Sequence, residues 1–239
     1  MPRDQQPQPA MPTESLASCA MRTRLAGSRI RLLDSVLGSG SYSQVLLGFD
    51  ESLRCNVAIK KIDRRQHNDY TRRFLPRELR LVTTLIHPNV VRVFDIVRTP
   101  EYVCMIEEYA ANGDLLQRII RERRIDEAEG RVLFRQFVEG LQAYVAVEIS
   151  SSQGYTNNAV DVWSAGVVLV IHHADREHAL RRLPSARHAR PTARPPPKFP
   201  HGRPSDAARR LILSMVHPNP RERATLDGVI ASSWLAGTP

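Results

Sequence analysis

Between residues 30 and 62 the apolar side chains fall in short runs separated by Gly and Asp, and this spacing constrains the fold more than any other feature. Short apolar runs bounded by turn residues read as strands, so 32–37, 43–48 and 56–62 are expected to form a meander. A helix should follow, opening at Phe74-Leu75-Pro76. Proline is tolerated in a first helical turn, and Leu75, Leu79, Val82 and Leu85 then recur at helical spacing. His87-Pro88-Asn89 should end it, because the residue before a proline avoids the helical region. Residues 90–97 and 102–107 read as two further strands.

After Asn112-Gly113 the period lengthens. Phe134, Phe137, Val138, Leu141 and Val145 line one face of a helix expected to end near Tyr144. Another helix is expected over 160–169, and two more around 207–216 and 226–235. The fold class expected is therefore α+β and two-lobed, strand-rich first and helical second. The organisation that follows is a disordered leader over 1–27, a first lobe over 28–109 and a helical second lobe over 110–171, which the family resemblance given below implies is truncated. An Arg/His/Pro-rich irregular segment over 172–203 and closing helices over 204–239 complete it.

Composition narrows the function classes. A formal charge of +9 favours acidic partners such as nucleic acid, anionic lipid surfaces or acidic proteins. Cys19, Cys55 and Cys104 are far apart and odd in number, which builds neither a disulfide framework nor a zinc site and suits a reducing compartment. The leader has no apolar signal core. The most apolar run, 162–171, is too short to cross a bilayer, so the expected location is cytoplasmic with no membrane partner.

Gly38-Ser39-Gly40-Ser41-Tyr42-Ser43-Gln44-Val45 lies between two expected strands, where glycines let backbone N–H groups approach a phosphate closely. Alone it would be an ordinary hairpin turn. Val57-Ala58-Ile59-Lys60 follows on a later strand and Glu78 on the first helix, and a strand lysine pinned by a helical glutamate is a way to hold a cation against nucleotide phosphates.

Together these residues resemble the N-lobe of protein kinases. The resemblance continues through His87-Pro88-Asn89-Val90-Val91, the hinge-like Glu108-Tyr109-Ala110, and Gly113-Asp114-Leu115-Leu116. It resumes at Asp161-Val162-Trp163-Ser164-Ala165-Gly166-Val167, Arg223-Ala224-Thr225 and Trp234-Leu235. Phe74-Leu75-Pro76-Arg77-Glu78 and Asn112-Gly113-Asp114-Leu115-Leu116 are most similar to the testis-specific serine/threonine kinases. The resemblance implies ATP as cofactor, held by Gly38, Ser39, Gly40, Val45, Ala58, Lys60, Glu78 and Glu108, and protein serine or threonine as substrate.

Two defects set the chain apart from that family. A kinase carries a His-Arg-Asp catalytic loop, a metal-binding Asn, Asp-Phe-Gly and an activation loop ending in Ala-Pro-Glu. Here the helix near Tyr144 runs straight into Ala146-Val147-Glu148. Glu148 precedes Asp161 by thirteen positions, which suits the family's activation-loop glutamate. No Asp-Phe-Gly exists anywhere, and His173-Ala174-Asp175 imitates the catalytic loop in the wrong place. No catalytic residue and no metal ligand can be assigned, so ATP binding should be weak and Mg²⁺ should lack its ligands. Asp161 loses the loop it would steady, while Glu148 and Arg223 are left as a candidate buried ion pair.

The second defect is the segment 172–203. His172, His173, His178, His188 and His201 match no compact zinc spacing. Arg181, Arg182, Arg187, Arg190 and Arg194 could contact phosphates, but no aromatic residue interleaves with them, so nucleic acid is not the expected partner. A shifted frame or retained intron suits the abrupt return at Lys198-Phe199-Pro200. The expected function is a kinase-like domain without phosphoryl transfer. A scaffold competing for the intact kinase's protein partners, or an Arg-rich nucleic-acid binder, are the alternatives. Glu107 stands where kinases keep an uncharged gatekeeper, and a carboxylate buried there must be protonated or paired.

Overall fold

The computed structural model describes residues 29–40, 43–65, 69–122, 125–151, 158–173, 199 and 204–237, with backbone alone at 147–151 and 171–173. The leader, Ser41, Tyr42, and most of the Arg/His/Pro segment, with His178, His188, His201 and all of its arginines, lie outside the described residues. The chain divides into two compact units, one drawn from 1–83 and 92–110, the other from 84–91 and 111–239.

The first unit is a five-stranded antiparallel sheet of order β1-β2-β3-β5-β4. Its strands are β1 (Ile30–Ser39), β2 (Ser43–Asp50), β3 (Cys55–Asp63), β4 (Val93–Arg98) and β5 (Tyr102–Glu108). Side chains alternate across the sheet, so each strand supplies two cores. Val57, Ile59, Tyr102, Cys104 and Ile106 bury on one face with Ile30. Ile62, Val103 and Met105 bury on the other, beneath Leu75 and Leu79 of helix α1 (Leu75–Thr84). A single wide turn, Tyr70–Phe74, precedes α1, with the Leu75 N–H donating to the Tyr70 carbonyl. The helical path thus begins four residues before Phe74, where the sequence pattern places its start. The fourth strand starts at Val93, not Val90, because 84–91 belongs with the second unit.

The second unit holds α2 (Leu115–Glu122), α3 (Glu127–Ser151), α4 (Ala159–His173), α5 (Asp206–Met215), α6 (Leu226–Ile230) and α7 (Ser233–Ala236). Phe134, Val138 and Val145 of α3 join Val162, Ala165 and Leu169 of α4, Ile212 and Met215 of α5, and Trp234 in one core. Phe137 is expected on that face, but it is 43% exposed and only touches the core through Phe134, with ring centroids 6.0 Å apart. A helix lays only a stripe inward, and Phe137 falls at its edge. The helix expected to stop near Tyr144 instead continues unbroken to Ser151, and α4 extends past residue 169 to His173.

Polar contacts close the unit. The Glu127 carboxylate accepts from the Ser205 hydroxyl at 2.5 Å, the Ser205 N–H at 3.1 Å and the Trp234 indole N–H at 2.8 Å. Ser205, Thr225 and Ser232 each cap the N-terminus of the helix that follows. Asn89 donates to Glu139 at 3.0 Å, which ties the His-Pro-Asn segment to α3. Phe199 packs against the core with the Arg209 guanidinium 5.6 Å from its ring centre, so the chain rejoins the fold where the sequence marks its return.

Gly166 allows α4 and α5 to approach. A Cβ there would sit 2.8 Å from Val216 Cγ1 and 2.9 Å from Met215 Cβ. Gly166→Ala should therefore cost about 1–3 kcal/mol through overpacking. In urea unfolding this is read as a lower midpoint at unchanged slope.

Candidate functional site

The site lies on the inner face of the sheet, and the strand register builds it. In β3, Val57 and Ile59 point to one face, which sends Ala58 and Lys60 to the other. Directly opposed residues of an antiparallel pair share a face. Val45 of β2 lies opposite Lys60, Met105 of β5 lies opposite it on the other side, and Glu107 lies opposite Ala58. Gly38 in turn pairs with Val45, which sets the turn between β1 and β2 beside the lysine's strand. The Gly40 N–H donates to the Ser43 carbonyl at 2.7 Å, and a Cβ at Gly38 would meet nothing within 4 Å. Ser39 pairs with Gln44 at the end of the same hairpin.

Lys60 Nζ lies 2.9 Å from Glu78 Oε1, and the two side chains are each 27% exposed. The Tyr70 hydroxyl donates to the other carboxylate oxygen, Oε2, at 2.8 Å. Burial, and then Glu78, push the Tyr70 phenol well above its ordinary value, so it remains a donor. Tyr70 escapes a reading of the sequence because eight residues separate it from Glu78, which at regular helical spacing puts it about 80° off the glutamate's face. The wide turn at 70–74 is the missing signal, and no residue type announces it.

Glu107 sits among the same groups. Burial raises its carboxyl above the usual range and the Glu78 charge adds to that, while the Lys60 charge opposes both. Glu108, expected at the hinge, is exposed. Its N–H donates to the Arg92 carbonyl at 2.8 Å, and its carboxylate accepts from the Arg92 N–H at 3.3 Å. Lys61 takes the opposite face, with Nζ 4.1 Å from the centre of the Tyr102 ring.

In the second unit Arg223 is 8% exposed. Its guanidinium donates to the carbonyls of Ala159 at 2.5 Å, His217 at 3.1 Å and Pro218 at 3.5 Å, and lies 4.9 Å from the Trp163 ring centre. These carbonyls and the ring satisfy a side chain for which Glu148 is the expected partner; the Glu148 side chain lies outside the described residues. Asp161 is in the first turn of α4. Among the described residues no three His, Cys, Asp or Glu side chains converge on a metal site, and no helix is long and apolar enough to cross a membrane.

The groups fit the phosphates of a nucleotide in part. One lysine is held in place, and among the described residues nothing lies within 4 Å of a Cβ built at Gly38. The same face carries the half-buried Glu107 carboxyl, which would oppose an anion only when ionised. Glu107 also gives a pH dependence with a definite sign. A carboxyl whose folded pKa lies above its unfolded value binds more protons when folded, so its ionisation destabilises as pH rises through that interval. Glu107→Gln should therefore raise the melting temperature at neutral pH, and the gain should vanish below the unfolded carboxyl range. Paired thermal melts across pH check this.

Residues 32–143 match the protein kinase domain family. Testis-specific serine/threonine-protein kinase 3 from Homo sapiens is 34% identical over 112 residues, covering 46% of this chain and 42% of the relative. CBL-interacting serine/threonine-protein kinase 21 from Arabidopsis thaliana is 28% identical over 255 aligned positions, covering 83% of this chain and 59% of the relative. The carbon catabolite-derepressing protein kinase from Secale cereale is 24% identical over 264 positions, covering 84% and 50%. The chain thus spans about half the length of the curated relatives it matches. The solved structure of Rad53 residues 1–466 with AMP-PNP superposes with a TM-score of 0.66 at 19% identity, covering 88% of this chain and 66% of that one. The chain has the protein-kinase fold, and its residues 32–143 are similar in sequence to the protein kinase domain family and to serine/threonine kinases.

Proposed function

We propose that this chain is a kinase-like domain that retains a weak nucleotide-phosphate site and does not transfer phosphate. The observation that carries the reading is α3, which runs without interruption through 144–148, where a kinase would leave the helix to form its catalytic loop and metal-binding motif. Two features of the comparisons support a deletion. The family match stops at residue 143. The Arabidopsis alignment has 255 positions, whereas 83% of 239 residues is about 198, so about 57 positions have no residue here.

Gly38, Ser39, Gly40 and Lys60 would receive the phosphates, with Glu78 holding the lysine. Val45 and Ala58, on the lysine's face of the sheet, would meet the base, and the backbone at Glu108 would border it. Mg²⁺ would add charge neutralisation in a complete kinase, but no residue here stands for its Asn and Asp ligands. The partners that suit such a domain are the protein partners of the intact serine/threonine kinase.

Phosphoryl transfer rests on positioning and charge neutralisation, and complete kinases turn over at about 1–100 per second. Loss of a general base alone removes about 10²–10⁴ of rate, and loss of the metals removes more. Radiolabelled ATP with a basic protein substrate should give no incorporation above that of Lys60→Met. Calorimetry should give weak ATP binding that Mg²⁺ does not strengthen. Robust transfer by the parent chain, abolished in Lys60→Met, would overturn the reading.

A further inference from the structure

We propose that Tyr70 is a positioning residue, whose hydroxyl orients the Glu78 carboxylate and so decides whether Lys60 is held. The inference deepens the nucleotide-site reading and rests on it for its functional meaning. Three side chains in series carry it: the Tyr70 hydroxyl donates to Glu78 Oε2 at 2.8 Å, and Glu78 Oε1 accepts from Lys60 Nζ at 2.9 Å. A glutamate has three side-chain torsions and, at 27% exposure, water within reach, so Lys60 alone does not select one orientation. With Oε2 engaged by a phenol, the carboxylate plane is set and Oε1 is left facing the lysine.

The backbone is shaped to allow this. At regular helical spacing of about 100° per residue, Tyr70 would lie about 80° from Glu78. The wide turn at Tyr70–Phe74 closes with a bond from the Leu75 N–H to the Tyr70 carbonyl, five residues apart, which inserts one residue into the helix. The separation then counts as seven helical steps, which return to within about 20° of the same face. The ring packs against the buried cluster of Ile62, Leu75, Leu79, Val103 and Met105, so the phenol is carried on a rigid support. A wide turn of this kind costs helical hydrogen-bond geometry, and here it delivers a donor to the one carboxylate that holds Lys60.

The chain has three lysines, Lys60, Lys61 and Lys198, and this makes the role measurable. Lys61 is the next residue on the same strand but faces the Tyr102 ring on the opposite side, so it reports general loosening of the sheet. The full chain is acetylated with N-hydroxysuccinimidyl acetate, and the Lys60 to Lys61 labelling ratio is read by peptide mass spectrometry. In Tyr70→Phe the ring and its packing remain. The ratio should rise about two- to tenfold, the span of one hydrogen bond's net worth. It should also move toward the value for Glu78→Ala. A purely structural role would raise Lys60 and Lys61 labelling together and leave the ratio flat, which overturns the proposal. A ratio that rises in Glu78→Ala but not in Tyr70→Phe also overturns it, and so does a ratio that neither variant moves. A separate arm adds ATP to the parent chain. Failure of ATP to protect Lys60 counts against the nucleotide reading alone, because the Tyr70→Phe ratio is measured without nucleotide and decides the positioning role by itself.

Discussion

The ion pair between a lysine on the sheet and a glutamate on a helix is the contact around which the first unit is organised. Lys60 is on the central strand β3, flanked by Val45 and Met105, and neither neighbour offers an acceptor. The acceptor comes from α1, whose Leu75 and Leu79 are buried against Ile62, Val103 and Met105. The apolar contact thus sets the distance, and the ion pair uses it. An ion pair this accessible contributes modestly to stability, so its importance lies in geometry. Tyr70 completes the arrangement by taking the second carboxylate oxygen.

Glu107 works against the same site. It shares the face with Lys60, and burial holds its carboxyl toward the neutral form. When it ionises, two carboxylates surround one ammonium, and the balance presented to a phosphate turns unfavourable.

The second unit has a complete core although α3 runs directly into the segment before α4. Val138, Val162, Ile212 and Trp234 are buried together, and Glu127 ties the ends of the helical set through Ser205 and Trp234. Among the described residues, backbone carbonyls meet the buried Arg223 guanidinium. Three backbone carbonyls and the Trp163 face replace water around the guanidinium, and burial lowers its pKa from the free value. Helix packing of this kind depends on stripes of apolar residues, and those stripes lie in α3, α4 and α5.

The strands, their order along the chain and the pairing of Lys60 with Glu78 were legible from the residues themselves. A two-residue alternation places Lys60 opposite in face to Ile59, and the Leu75-Leu79-Val82 spacing aims Glu78 at the sheet; both are local periodicities. The continuation of α3 from Tyr144 to Ser151 was not legible; 145–151 carries no proline or glycine, and helical hydrogen bonds propagate wherever nothing stops them. Phe137 at the edge of its stripe, Glu108 turned onto Arg92, Arg223 among carbonyls, and Tyr70 brought round by one wide turn depend on where other segments of the chain lie. Periodicity and motif spacing are properties of neighbours in sequence, so the sequence by itself determined the elements and the paired charges. The orientation of a side chain's last polar atom is a property of neighbours in space, and only the tertiary structure decided it.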